Sequence, residues 1–130
     1  MESYQNDTKK FKELNHNNII KYLQADISES ENQVDILMEY FPAGSLKNLI
    51  EKYGGLNDIL IKAMIRQVLE ALSYAHSKGI MHKNLKCSNM MIDNEGNLKL
   101  SDFGYSNTII KDQNGNLILK GNPNWTSPEV

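Results

Sequence analysis

The segment His82-Lys83-Asn84-Leu85-Lys86-Cys87-Ser88-Asn89, followed further on by Asp102-Phe103-Gly104, carries the residues best suited to chemistry. The Lys86 ammonium can neutralise a phosphoryl group in transfer. The Asn89 amide oxygen and the Asp102 carboxylate are hard oxygen donors of the kind Mg²⁺ takes. A Lys, an Asn and an Asp set on loops at strand ends around a hairpin are the groups needed to hold a nucleoside triphosphate with its metal. Each has a plainer reading by itself: an isolated Asp-Phe-Gly or Asn is more often a turn residue, and Lys86 a surface cation. Cys87 stands beside the loop and needs no redox role.

The elements that must position these groups are readable from spacing. Tyr4, Asp7, Phe11 and Leu14 recur at helical intervals over residues 3 to 14, with Lys9, Lys10 and Lys12 on the other side, which predicts a short amphipathic helix. Ile19 to Leu23 and Val34 to Phe41 read as two strands of an antiparallel hairpin joined by the acidic loop Asp26 to Asn32. After Pro42-Ala43-Gly44, Ser45 is an N-cap for a short helix carrying Leu46, Leu49 and Ile50 and ending at Gly54-Gly55. Asn57 caps a longer helix whose wide apolar stripe, Leu60, Ile61, Met64, Ile65, Val68, Leu69, Leu72 and Ala75, closes at Gly79. Met90 to Ile92 and Leu98 to Leu100 flank the turn Asp93 to Asn97 as a tight hairpin. A second hairpin is expected from Thr108 to Ile110 and Leu117 to Leu119 around Asn114-Gly115.

Composition narrows the setting. A chain of 130 residues, 40% hydrophobic and 23% charged, suits one globular domain without repeats. Fourteen basic against sixteen acidic residues leave a formal charge of −2, so no general attraction to nucleic acid or to an anionic membrane is expected. One cysteine excludes an internal disulfide and fits a cytoplasmic setting. No segment approaches the apolar length of a membrane span, so no membrane partner is expected.

With the motifs in this order the chain resembles the eukaryotic protein kinase family. His82 to Asn89 is similar to the catalytic loop H-R-D-L-K-x-x-N, Asp102-Phe103-Gly104 matches D-F-G, and Ser127-Pro128-Glu129 resembles A-P-E. Leu14 to Ile20 resembles the L-x-H-P-N-I-V segment after helix C, and Ile36 to Tyr40 the start of the hinge. Gly44-Ser45-Leu46, Leu72 to Ile80 and Lys120 to Trp125 look most like the mitogen-activated protein kinase kinase kinase group. Lys86 is the residue type that marks Ser/Thr kinases.

The resemblance implies an α+β fold, a partial protein-kinase fold. It would comprise helix C and two strands of the N-lobe with the hinge (1–41), and the helical C-lobe as far as the activation segment (42–130). It implies ATP and Mg²⁺ as cofactors and a protein substrate or protein partner. Asn84 and Lys86 take the catalytic positions, and Asn89 and Asp102 the metal positions. Met38 as gatekeeper, Glu39 and Phe41 in the hinge, and Met91 on the pocket floor face the nucleotide, while His82 packs against Phe103.

Departures from the pattern temper the activity. Asn84 stands where the family has its catalytic aspartate; an amide accepts a hydrogen bond from a hydroxyl but cannot take its proton. Asp7 aligns with the helix C glutamate and Asn122 with the threonine that bridges the catalytic pair. Lys83 for Arg keeps a charge but loses the planar fork that clamps a phosphate. Nothing in these residues corresponds to the Gly-rich loop or the strand lysine. The expectation is a kinase-like chain impaired in transfer and acting by protein binding, with part of an active Ser/Thr kinase as the alternative. The strand with Ile36 and Met38 is expected to be left as an open edge, with marginal stability.

Overall fold

Residues 12–28, 33–103, 108–111, 117–120 and 123–125 are described by a computed structural model. The helix expected over 3 to 14, apart from its last turn, lies outside these residues with Asp7. So do Gly104, the Asn114-Gly115 turn, Asn122 and Ser127-Pro128-Glu129.

The first hairpin is displaced from its expected position. β1 runs Tyr22–Ser28 and pairs antiparallel with β2, Gln33–Met38, so Asp26 to Ser28 belong to a strand rather than to the acidic loop. The alternation Leu23, Ala25, Ile27 against Gln24, Asp26, Ser28 continues the period of two past Leu23 and carries the strand onward. An irregularity between Tyr22 and Gln24 shifts the register there. Tyr22 is buried, whereas Leu23 and Leu37 stay exposed. β2 stops at Met38, short of the expected Phe41, whose carbonyl accepts the Gly44 N–H at 3.0 Å in the following turn. Among the described residues β2 pairs only with β1, which leaves the expected open edge.

Ile19 and Ile20 do not join β1. Ile20 N–H donates to the Leu100 carbonyl at 2.9 Å, and both isoleucines are almost wholly buried. Their burial comes from lying along another strand, a long-range choice that local alternation does not encode.

α1, Leu46–Tyr53, begins with a reciprocal cap: the Ser45 hydroxyl accepts the Asn48 N–H at 3.3 Å, and the Asn48 amide oxygen accepts the Ser45 N–H at 3.0 Å. α2, Asp58–Ser77, starts where the Asn57 side chain accepts the Leu60 N–H. It ends in a Schellman closure, with Gly79 N–H to His76 O and Ile80 N–H to Ala75 O, both 2.9 Å. Gly79 sits at φ +71, which a side chain would strain. A 3-10 turn, Cys87–Asn89, leads into β3, Met90–Ile92, which pairs with β4, Leu98–Leu100. The Asp93 carboxylate accepts the N–H groups of Glu95 and Asn97 at 2.9 and 2.8 Å and fixes the turn between them. β5, Thr108–Lys111, pairs antiparallel with β6, Leu117–Lys120, as expected.

The core lies between α2 and the β3-β4 hairpin. Ala71, Ala75, Leu98, Leu100 and Phe103 are fully buried; the two alanines let the strand approach the helix closely. Only part of the stripe expected on α2 is covered. Met64, Val68 and Ala75 are buried, with Ala71 beside them, but Ile65 and Leu69 are 53% and 59% exposed. The stripe is wider than a two-stranded hairpin and one short helix can cover. An apolar groove of about 430 Å³ opens along it between Leu46, Ile50, Leu56, Ile61 and Ile65. Among the described residues no helix is long and apolar enough to cross a membrane.

Because Leu100 is wholly enclosed, Leu100→Ala should lower unfolding stability by about 3 kcal/mol. Urea unfolding followed by far-UV circular dichroism checks this; a loss under about 1 kcal/mol would mean the site collapses around the cavity.

Candidate catalytic loop and metal-facing residues

Residues 81 to 89 carry the candidate groups between α2 and β3, held by a short series of hydrogen bonds. His82 Nδ1 accepts the Asn84 N–H at 3.2 Å, which places the ring proton on Nε2. Asn89 Nδ2 donates to the Asn84 carbonyl at 2.8 Å, and Asn89 N–H to the Lys86 carbonyl at 2.9 Å. The carbonyl of Asn89 in turn accepts the Ser101 N–H at 2.9 Å and the Ser101 hydroxyl at 3.2 Å. One amide side chain therefore closes the loop on itself, and its backbone ties the loop to the residue before Asp102.

The two candidate oxygen donors, Asn89 and Asp102, differ in exposure. Asn89 is buried, and with its NH₂ group spent on Asn84 its amide oxygen makes no hydrogen bond among the described residues. Asp102 is exposed and held at φ +58, and Lys83 at φ +62. Such left-handed conformations of non-glycine residues cost about 1 kcal/mol each and persist only where surrounding structure imposes them. No group of three or more His, Cys, Asp or Glu among the described residues could hold a metal ion. One amide oxygen plus one carboxylate does suit Mg²⁺, which keeps water and phosphate oxygens for its remaining positions. Lys86 is half-buried in extended backbone just before the 3-10 turn. Asn84 is also half-buried, and its side-chain amide makes no hydrogen bond among the described residues.

His82 is 3% exposed with its ring 4.4 Å from that of Phe103, the packing role expected of it. Burial pushes its pKa down from 6.5 to about 4, outweighing the backbone of Ser101 and its own backbone, which favour the charged form. Nε2, which carries the ring proton, finds no hydrogen-bond partner among the described residues, a desolvation cost set against the packing on Phe103.

Of the residues expected to face a nucleotide, Met38 and Met91 are half-buried against the core and Phe41 is buried in it. The Glu39 carboxylate is engaged: Lys99 Nζ lies 3.0 and 3.1 Å from its two oxygens, and Lys21 N–H donates to it at 2.6 Å. Lys99 also sits 5.8 Å over the Phe41 ring. Glu39 thus clamps the end of β2 to β4, a role that its place in the hinge does not announce.

Two further residues escaped the sequence reading. Asn18 Nδ2 donates to the Leu98 carbonyl at 2.8 Å and to Gln67 Oε1 at 2.9 Å, and Gln67 Oε1 also accepts the Leu98 N–H at 2.8 Å. The signal was present: Gln67 is a polar residue three after Met64 and four before Ala71, on the buried face of α2.

Catalytic-loop geometry, a hairpin leading into Asp-Phe-Gly, and a hinge packed on β4 define a protein kinase fold. The family described as protein kinase domain matches residues 1–130, and this chain belongs to it. Within the family it is similar to mitogen-activated protein kinase kinase kinases, on the Ser/Thr side. It is 40% identical over 121 residues to mitogen-activated protein kinase kinase kinase 3 of Arabidopsis thaliana, covering 92% of this chain and 18% of that protein. Against the human mitogen-activated protein kinase kinase kinase 3 it is 39% identical over 122 residues, covering 92% and 20%. Against MAP kinase kinase kinase mkh1 of Schizosaccharomyces pombe it is 40% identical over 120 residues, covering 91% and 11%. The chain therefore spans a fifth or less of the length of these relatives.

The depressed His82 pKa sets a pH dependence. Between pH 6.5 and about 4 the unfolded chain binds a proton that the folded chain refuses. Stability is therefore complete above 6.5 and falls as the pH drops through that window. The wild type should lose roughly 3 kcal/mol more than His82→Phe between about pH 7.5 and 4. Urea midpoints at both pH values measure the difference, and equal losses would show that the ring is not held neutral.

Proposed function

We propose that this chain is a kinase-like module of the mitogen-activated protein kinase kinase kinase type, impaired in phosphoryl transfer and acting chiefly by binding a protein. Asn84 carries this reading. Its carboxamide occupies the position from which a carboxylate would accept the substrate hydroxyl proton, and an amide has no useful basicity at neutral pH. The rest of the loop supports retention of the ligand-facing groups, because Asn89 is oriented by its bond to Asn84 and tied to the Asp102 strand through Ser101.

In this reading MgATP would supply the γ-phosphoryl group and the ion that neutralises it. Asn89 and Asp102 would hold the metal, and Lys86 would face the phosphoryl oxygens. Met38 and Met91 would bound the adenine. Glu39 would act through its carbonyl, since its N–H donates to the Lys21 carbonyl and its carboxylate already accepts from Lys99 Nζ and the Lys21 N–H. The protein-binding part draws support from the apolar face of α2, where Ile65 lines the groove and Leu69, one turn further on, stays exposed, a surface suited to another polypeptide segment. A second reading, part of an active Ser/Thr protein kinase, draws on the preserved order of Lys86, Asn89 and Asp102.

The two readings separate in the natural full-length polypeptide that carries this segment. Transfer of labelled phosphate from ATP to a protein substrate should rise about 10²–10⁴-fold in Asn84→Asp. A wild-type rate that already matches Asn84→Asp and vanishes in Lys86→Ala would establish the active enzyme instead.

A further inference from the structure

β4 has two edges. Along one it pairs with β3; along the other, Leu98 and Leu100 direct four backbone groups away from the hairpin. All four are taken without a further strand. Leu98 N–H goes to Gln67 Oε1 at 2.8 Å and the Leu98 carbonyl to Asn18 Nδ2 at 2.8 Å. Leu100 N–H goes to the Asn18 carbonyl and the Leu100 carbonyl to Ile20 N–H, both at 2.9 Å. Asn18 and Gln67 are joined to each other at 2.9 Å.

Gln67 is half-buried beside the core face of α2, and the hydration its amide oxygen loses there is replaced by hydrogen bonds. The Gln67 oxygen accepts two, one from the Leu98 N–H and one from Asn18 Nδ2, which itself donates to the Leu98 carbonyl; together they set the height of β4 along α2. The next residue after β4 is Ser101, which makes two bonds to the Asn89 carbonyl, and Asp102 follows. Because the Ser101–Asn89 bonds continue the β3-β4 ladder, a hairpin displaced along the helix would carry Asn89 with it, pull its amide from the Asn84 carbonyl in the loop that follows α2, and turn its oxygen away from Asp102.

We infer that Gln67, together with Asn18, is a positioning residue that fixes β4 against α2 and thereby holds the Asn89 and Asp102 oxygens in register for a divalent metal ion. The inference rests on the metal assignment of the proposed function. Neither residue touches the ion. Their role is to support the two that do, and losing such support typically weakens metal affinity by about 10- to 100-fold.

The test uses Mn²⁺ as the probe and the ¹⁵N-labelled chain, reading paramagnetic broadening of the Asn89 and Asp102 amide resonances. In the wild type, broadening should be selective for those residues and reversed by excess Mg²⁺. Gln67→Leu should weaken the apparent Mn²⁺ affinity by about tenfold or more. Gln67→Glu, whose oxygen reaches both donors, should recover most of it. Gln67→Asn keeps the polarity but falls one methylene short; it should lose affinity like Gln67→Leu and stands in for it if that variant does not fold. Tyr74→Phe, which frees the same loop at Asn15 N–H without touching β4, should bind as the wild type does. Selective broadening of equal affinity in the wild type and in Gln67→Leu or Gln67→Asn would overturn the inference while leaving the metal assignment standing. Absence of selective broadening in the wild type would overturn the metal assignment, and this inference with it.

Discussion

The pairing of both edges of a three-residue strand, Leu98–Leu100, is the constraint on which the rest of the structure depends. Its inner edge makes the hairpin; its outer edge is closed by Asn18, Ile20 and Gln67. A buried strand edge left open would carry unpaired N–H and C=O groups at a cost of about 1–3 kcal/mol each. Here a loop and one helical side chain take the place of a neighbouring strand. The residues before the first hairpin are thereby fastened to the helical part of the chain, and the Glu39–Lys99 pair fastens the segment after it.

This closure explains why strained backbone survives where the chemistry lies. Lys83 and Asp102 hold left-handed conformations, and His82 gives up hydration to lie against Phe103. Those costs are carried by the fully buried Leu98, Leu100, Phe103, Ala71 and Ala75 around them. The loop is thus tied down at its candidate oxygen donors, and Asn89 uses its NH₂ group inside the loop, which leaves its oxygen without a hydrogen bond among the described residues. An amide or a carboxylate at position 84 is compatible with this geometry, because the loop uses the backbone of that residue and not its side chain. Architecture and proton transfer are separable here, which is what the proposed function requires of a kinase-like chain.

The outer face of α2 sits at the other extreme. Its apolar stripe is wider than the partners present among the described residues, so Ile65 and Leu69 remain in water. Apolar side chains on a helix face at this density are ordinarily buried against something. The groove that Ile65 helps to line is nearly devoid of polar residues, in contrast to the polar pocket of Asn17, Asn18, Gln67, Asp93 and Glu95.

Local signals in the sequence determined much of this. Ser45 and Asn57 as caps, Gly79 as a left-handed terminus, the Asp93 turn and the period of α2 are read within a few residues of where they act, because capping and turn chemistry is short-ranged. The motif order from His82 to Asp102 likewise named the family and the side chains of the loop. Only the tertiary structure decided where Ile19 and Ile20 go, how far β1 extends, which half of the α2 stripe is covered, and what Glu39, Asn18 and Gln67 are for. Those outcomes turn on partners as far away as residue 18 is from residue 98, and hydrophobic periodicity gives an element its faces without saying which neighbour will meet them.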